Sequence, residues 1–115
     1  MGEMAGWAAV IPRDALKAFQ IKYGDGRVEA LPDSKTAKVR DDLWIVKVGD
    51  EVVVGSDLRA CVKAYFEWLR GFKTDFAKFL EERGEERLAA EKYAEAAELA
   101  LKARAVETAE IDVLG

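Results

Sequence analysis

The stretch KTAKVRDDLWIVKVGDEVVVG, which runs from Lys35 to Gly55, decides the fold class because apolar and polar residues alternate through it in three short runs. An Asp-Asp pair and a Gly-Asp pair, both typical of tight turns, separate the runs. Runs of this length joined by two-residue turns predict an antiparallel meander. A similar run precedes them, so we predict four strands, at about 27–31, 35–40, 43–48 and 51–55.

Helical periodicity replaces strand alternation after the last of these runs. Apolar residues recur at three- and four-residue steps over 57–83, with Ser56 as the expected N-cap and Gly84 as the expected stop. A second helix, 85–106, is rich in alanine and charged on its outer side. A short helix over 13–19 precedes the strands. We therefore predict an α+β fold in which a four-stranded antiparallel meander sheet is cradled by a short N-terminal helix and two longer C-terminal helices.

Length and composition limit the possible chemistry. The 115 residues are enough for one domain with a real core, so we expect a single domain over 1–115. The chain has one cysteine and no histidine, which excludes an internal disulfide, a cysteine-histidine zinc site and a histidine-dependent triad. No pair of acids lies in a recognisable catalytic motif. We expect a protein that is not an enzyme and has neither a metal nor a cofactor.

Composition also indicates the conditions in which the protein works. Asparagine is absent, Gln20 is the one glutamine, and 35% of the residues are charged, as in hyperthermophile proteins that avoid heat-labile amides. No apolar run approaches the ~20 residues of a membrane span, and no signal peptide is recognisable. The sequence predicts a cytoplasmic protein that does not enter a membrane.

Charge is distributed unevenly along the chain. The net charge is −4, but residues 1–80 carry 13 basic and 12 acidic residues, whereas residues 81–115 carry 5 and 10. The acidity therefore belongs to the C-terminal third. A basic surface elsewhere in the molecule remains compatible with the composition.

The predicted sheet has two chemically different faces. Two-residue turns place Arg40 opposite Leu43 and Ala37 opposite Val46. One face is then nearly all apolar and suited to covering by the helices; it comprises Ala37, Val39, Trp44, Val46, Val48 and Val53. The other face mixes cations with aliphatic residues; it comprises Thr36, Lys38, Arg40, Leu43, Ile45, Lys47, Val52 and Val54.

The mixed face has two interpretations. Burying its cations without partners would cost several kcal/mol, so we expect it to be at least partly open. An open surface of this kind suits single-stranded nucleic acid, because cations bind phosphates while apolar side chains meet bases. The alternative is that lysines near sheet edges keep an exposed sheet soluble and discourage edge-to-edge pairing.

The helix 57–83 carries more apolar residues than one packing face requires. Between Arg59 and Lys78 its net charge is +3. One apolar stripe comprises Leu58, Val62, Phe66, Leu69, Phe76 and Leu80, and a second comprises Cys61, Tyr65, Trp68, Phe72 and Phe79. The first stripe is enough to pack the helix on a sheet. The second lines a cleft in which bases stack, or it forms more core, against the helix 85–106 or in a dimer.

These segments together resemble a known family. The short N-terminal helix, the meander RVEALPDSKTAKVRDDLWIVKVGDEVVVG, the aromatic helix SDLRACVKAYFEWLRGFKTDFAKFLEERG and the Ala/Glu/Lys helix are similar to the ThermoDBP family of single-stranded DNA-binding proteins from archaea of the order Thermoproteales. The resemblance covers most of the chain and is architectural and compositional. It implies a four-stranded sheet cradled by helices, sequence-independent binding of single strands in a cleft, and dimerisation through a C-terminal helical region.

We therefore predict a protein that binds single-stranded DNA, with RNA also possible, and that forms a homodimer. The apolar stripe expected to support dimerisation comprises Leu88, Tyr93, Ala96, Ala100 and Ala103. The candidate nucleic-acid contacts are Lys38, Arg40, Ile45, Lys47, Arg59, Lys63, Tyr65, Trp68, Arg70, Phe72 and Lys73. The alternative is a dimeric protein–protein interaction domain with no nucleic-acid role.

Overall fold

The computed structural model describes Ile11 and residues 13–115, and this part of the chain forms two helices and six strands. The helices are α1 (Leu58–Glu82) and α2 (Glu86–Ala105). The strands are β1 (Phe19–Lys22), β2 (Val28–Glu29), β3 (Ser34–Arg40), β4 (Leu43–Val48), β5 (Glu51–Gly55) and β6 (Glu110–Val113).

The strands form two separate three-stranded sheets, in the orders β2-β1-β6 and β3-β4-β5. The predicted four-stranded meander is therefore wrong. The strand expected at 27–31 is short, and it pairs with β1 through the turn in which the Tyr23 N–H donates to the Arg27 carbonyl at 2.8 Å. That turn brings the chain back onto β1, and β2 does not pair with β3.

The predicted N-terminal helix over 13–19 is also wrong. Only Arg13–Ala15 is helical, as a single 3₁₀ turn, and the chain then enters β1. Phe19 and Ile21 are buried while Lys22 is exposed, which is the two-residue period of a strand. The C-terminal tail, whose structure the sequence left open, pairs with β1 as the antiparallel strand β6.

One backbone link joins the two sheets. Lys17 and Thr36 exchange two backbone hydrogen bonds of 2.8 Å, so the segment before β1 pairs briefly with β3. The main core lies between the sheets and the first half of α1, and it contains Phe19, Ile21, Val46, Val62, Phe66 and Val106 among its buried members.

The pairing of β3 with β4 differs from the predicted register. The register shifts between Lys38 and Arg40, and Ala37 consequently faces Ile45 rather than Val46. Successive side chains of a strand point to opposite faces, so a shift of one residue exchanges the faces of every residue before the irregularity. Thr36 and Lys38 were therefore assigned to the wrong face, and so was Ala37.

After this exchange, Thr36 lies opposite Val46 and Lys38 lies opposite Trp44. Val46 belongs to the core beneath α1, and Trp44 packs against that core. Thr36 is buried there, and its hydroxyl donates to the Ile45 carbonyl at 2.8 Å.

The other face of this sheet is closed at its centre. Ile45 is 1% exposed and Ala37 is 4% exposed, although neither belongs to the main core cluster. Ile45, predicted as a surface contact, is therefore buried, whereas Arg40 and Val54 of the same predicted face are exposed. Lys47 keeps its predicted face, where Lys35 lies directly opposite it.

A side chain caps the N-terminus of α1, and backbone hydrogen bonds cap its C-terminus. The N-cap is Asp57 rather than the predicted Ser56, and its carboxylate accepts a hydrogen bond from the Ala60 N–H at 2.7 Å. At the other end Gly84 adopts a φ of 81°, and the Glu85 N–H donates back to the Leu80 carbonyl at 2.9 Å. These are the features of a Schellman C-cap, so the predicted stop at Gly84 is where the helix ends.

The helix α2 returns along α1 as the second arm of a helical hairpin. Its small residues Ala89, Ala96 and Ala103 are buried, as is Ala77 of α1. Two residues of the alanine stripe expected at a dimer interface, Ala96 and Ala103, are thus used inside the chain. Small side chains allow the two helices to approach closely.

Only the first part of α1 has a sheet beneath it. A helix of 25 residues is about 37 Å long, whereas the five-residue strand β5 spans about 17 Å. The second half of α1 therefore extends past the sheet, with α2 packed along one side.

Candidate functional site

The part of α1 that extends past the sheet carries an exposed row of aromatic side chains. Trp68, Phe72, Phe76 and Phe79 are 46%, 57%, 40% and 48% exposed, respectively. At about 100° per residue these four positions fall within an arc of about 80° on the helix surface. We call this set the aromatic row.

Two rings of the row stack on each other, and the other two lie close to cations. Trp68 stacks on Phe72 with 6.0 Å between ring centroids, and Tyr65 stacks on Trp68 at 6.2 Å. The Arg83 guanidinium lies 4.8 Å from the Phe79 ring centroid, and the Lys92 ammonium lies 5.9 Å from that of Phe76. The N-terminal part of the row is thus held by ring stacking, and cations lie over the rings of its C-terminal part.

The row continues a stripe that is buried earlier in α1. Cys61 lies one turn before Tyr65 on the same face, is fully buried, and donates its S–H to the Trp44 carbonyl at 3.3 Å. Burial raises the pKa of the Cys61 thiol to about 12. The thiol therefore stays protonated and packs as a small apolar group.

The cations predicted on the sheet pair locally and lie apart from the row. Lys38 is 3.3 Å from an Asp41 oxygen, and Arg40 is 3.1 Å from an Asp42 oxygen; all four side chains are exposed. Lys47 is half-buried, and its ammonium donates to the Gly49 carbonyl at 2.7 Å. Ile45 is buried, as described above, and makes no surface.

Three of the cations predicted on α1 tie the helix to the rest of the chain. The Arg59 guanidinium donates to the Ala109 carbonyl at 2.6 Å and also to the Val106 carbonyl, which fixes the turn that leads into β6. Lys63 pairs with Glu107, and their hydrogen bond raises the pKa of Lys63. Lys73 pairs with Glu95 of α2 at 2.8 Å.

Arg70 differs from the other predicted cations. Within residues 13–115 it makes no ion pair, and it borders an open groove of about 390 Å³ between α1 and α2, together with Arg104, Lys63 and Glu107. Arg70 and Trp68 are two positions apart, about 200° around the helix, so this groove and the aromatic row lie on opposite sides of the hairpin.

The structure thus brings three predicted site residues together, Tyr65, Trp68 and Phe72, and separates them from the cations of the sheet. Phe79 was predicted in the same stripe but not among the candidate contacts, and Phe76 was predicted in the packing stripe, although both are exposed neighbours of this set. Helical spacing could have predicted this position, because Phe76 follows Phe72 by four residues and so lies on the same face of the helix. Nothing in the sequence told which part of that face would be uncovered.

A second polar cluster fastens α2 to the sheet β2-β1-β6. The Tyr23 hydroxyl donates to Glu29 at 2.6 Å, and Lys102 of α2 pairs with the same carboxylate at 2.8 Å. Burial alone would raise the pKa of Glu29. The hydrogen bonds from Lys102 and Tyr23 have the larger combined effect, so the pKa lies below its ordinary value. Burial, followed by the bond to Glu29, raises the pKa of Tyr23. All its charges are paired, so we interpret this cluster as structural.

No group of three or more acidic or cysteine side chains within residues 13–115 is arranged to hold a metal ion. Neither α1 nor α2 is long and apolar enough to cross a membrane. Comparison with known proteins finds no matching family model, no similar curated protein and no similar solved structure.

Proposed function

We propose that this chain is a protein–protein interaction domain whose helical hairpin presents the aromatic row to a protein partner. The observation that carries the proposal is the exposure of four neighbouring aromatic side chains on the part of α1 that extends past the sheet. A fully buried aromatic side chain covers roughly 150–250 Å², so four that are about half exposed leave about 400 Å² of apolar surface. A patch of that size on a soluble protein is commonly functional.

The charges around the row favour a protein over a polyanion. Residues 68–99 carry six Lys/Arg and eight Asp/Glu. Helical spacing places Asp75 and Glu82 beside the row, and Glu95 already occupies both Lys73 and Lys92. Phosphates bound there would meet more acids than free cations, whereas aromatic and arginine side chains are enriched at protein interfaces.

Photo-crosslinking at the row tests this proposal. A photo-activated phenylalanine analogue is placed at position 72 in cells that make the protein, with position 94 on the outer side of α2 as the control. We expect polypeptide adducts from position 72, absent from position 94, with a yield that falls when Phe76→Glu is added. Adducts with nucleic acid alone, or equal yields from both positions, would overturn the proposal.

Single-stranded DNA binding is the second candidate, and one observation favours it. The exposed Trp68 and Phe72 stack on each other and on the half-buried Tyr65, and such a stacked ladder is the arrangement on which successive bases stack with little sequence preference. RNA would be accommodated by the same stacking. In this candidate Arg70 and the exposed Arg40 would supply phosphate contacts, although they lie on other surfaces.

A salt titration separates the two candidates. Binding of a labelled oligothymidine is followed by fluorescence anisotropy at several salt concentrations. Three to five phosphate contacts give a log–log slope of about −2 to −4, and Phe72→Ala removes ~1–3 kcal/mol of affinity. No binding at physiological salt, or a slope near zero, would dismiss phosphate recognition by this chain.

A further inference from the structure

We infer that the protein partner of the aromatic row is a second copy of this chain, packed antiparallel across α1 with a two-fold axis between Phe72 and Phe76. The inference rests on the proposed function and names its partner. In a two-fold contact the same patch lies on both sides and must therefore complement itself when its direction is reversed.

The aromatic row complements itself when its direction is reversed. With the axis at position 74, Phe72 lies opposite Phe76 of the other copy, and Trp68 lies within one residue of the position opposite Phe79. The same register places Tyr65 opposite Arg83, two residues that continue the row at either end. An arginine over a tyrosine ring is a favourable contact, and in the single chain Arg83 already lies over the aromatic ring of Phe79. Antiparallel pairing thus gives every member of the row a chemically suitable neighbour.

Gly71 supplies independent support. It lies in the interior of α1, beside the row, where glycine weakens a helix relative to alanine. A Cβ added at Gly71 would meet no atom of this chain within 4 Å, so nothing in the described structure requires glycine there. A closely approaching second helix would require it, because glycine lets another backbone or a long side chain come near.

Away from Asp75, which lies at the axis, the flank that contains Gly71 also complements itself. Small residues, Ala64 and Gly71, occupy the first half of this flank, and long ones, Lys78 and Glu82, occupy the second half. Reversal about position 74 brings Gly71 within one residue of the position opposite Lys78 and Ala64 within two residues of the position opposite Glu82. Each long side chain then lies over a position with little or no side chain, which leaves room for the aromatic rings to meet.

The area available matches what a stable dimer needs. The four aromatic side chains contribute about 400 Å² per copy. Leu88 of α2, 44% exposed and close to the C-terminal end of α1, adds to this patch. Two copies would together bury about 1,000 Å², the lower bound for a specific interface. A monomer would leave that surface in water.

Sedimentation equilibrium of the purified full chain tests the inference. We expect twice the mass of one chain, and at least a tenfold weaker dimer for both Phe72→Glu and Gly71→Gln. Ala94→Gln, on the exposed outer side of α2, is the matched control and should leave the dimer unchanged. Circular dichroism melts of all three at low concentration verify that each variant remains folded.

A chain that is monomeric at the highest concentration reached overturns the inference. So does a dimer that survives either variant, or one that Ala94→Gln disrupts to the same extent. If the chain is monomeric while position 72 still crosslinks to another protein in cells, self-pairing fails and the proposed function stands. If oligothymidine quenches Trp68 in the monomer, nucleic acid is the occupant and both proposals fail.

Discussion

The two halves of α1 carry the same kind of apolar spacing and have opposite fates. In the first half Cys61, Val62 and Phe66 are at most 1% exposed, because they pack against a sheet and the segment that follows α2. In the second half the aromatic row continues one of those stripes, and its side chains are 40–57% exposed. The difference arises from length, because α1 is about twice as long as the strand on which it lies.

An apolar stripe on a helix therefore predicts that the helix packs against another apolar surface, but it does not predict which surface that is. The strand β5, on which the first half of α1 lies, runs from Glu51 to Gly55, and the chain then reverses into α1. The buried half is core because the sheet is within reach. The exposed half is available for intermolecular contact for the same physical reason, since apolar surface is removed from water only by another apolar surface.

Truncating one aromatic residue in each half is the strongest test of this difference. Phe66→Ala should lower the free energy of unfolding by ~3–5 kcal/mol, because it leaves a cavity in the core. Phe72→Ala should change it by less than ~0.5 kcal/mol at low protein concentration, because its ring is more than half exposed. Urea unfolding of both variants measures the two values. Equal losses would mean that both halves belong to one core.

Two glycines sharpen the comparison. In Gly55→Ala the new Cβ would lie 2.8 Å from the Cys61 backbone nitrogen, so α1 or β5 must shift, at a cost of ~1–3 kcal/mol. Gly71→Ala meets nothing in its own chain and should stabilise the monomer by ~0.5–1 kcal/mol. Thermal melts at low concentration measure both signs. A destabilising Gly71→Ala would indicate an internal role for that glycine.

Two carboxylates, one bound at the sheet and one in the helical hairpin, should make different contributions to the pH dependence of stability. The pKa of Glu29 is lowered in the folded chain, so its contribution is present above its ordinary value of 4.5 and is lost as pH falls through the folded value. We expect Glu29→Gln to destabilise the chain by at most about 1 kcal/mol at neutral pH, and the difference to shrink below pH 4.5.

Glu95 is the exposed counterpart. Hydrogen bonds from Lys73 and Lys92 lower its pKa, so its effect has the same sign, but water screens both pairs. Glu95→Gln should therefore change the pH profile of the melting temperature less than Glu29→Gln does. A larger change from Glu95→Gln would mean that the hairpin, not the sheet, depends on ion pairing.

The predictable part of the fold was local. Helical spacing and the glycine stop placed α1 and α2 close to the predicted 57–83 and 85–106, and two-residue turns placed β3, β4 and β5. The assembly of the strands was not predictable in the same way. A two-residue β2 and a register shift next to Arg40 leave no periodic signal, yet they decide which strands share a sheet and which faces are buried.

The candidate site was predictable in its chemistry and not in its place. From their stripe alone, Trp68 and Phe72 were predicted either to line a cleft or to form more core. Which cations would be free depends on side chains distant in sequence, as when Glu107 pairs with Lys63 and the Ala109 carbonyl accepts from Arg59. Such pairings arise only after the chain folds, so counting cations along α1 overstated the charge available for phosphates.

Fluorine NMR of 5-fluorotryptophan-labelled protein tests most directly whether the aromatic row meets a second copy. Trp44 packs against the core within one chain, whereas Trp68 lies in the row, so the two report on the two halves of the comparison. Assignment uses Trp44→Phe and Trp68→Phe. On dilution from high concentration, the account predicts that the Trp68 signal moves to a solvent-exposed shift while the Trp44 signal stays in place. A Trp68 signal that is solvent-exposed at every concentration would contradict it.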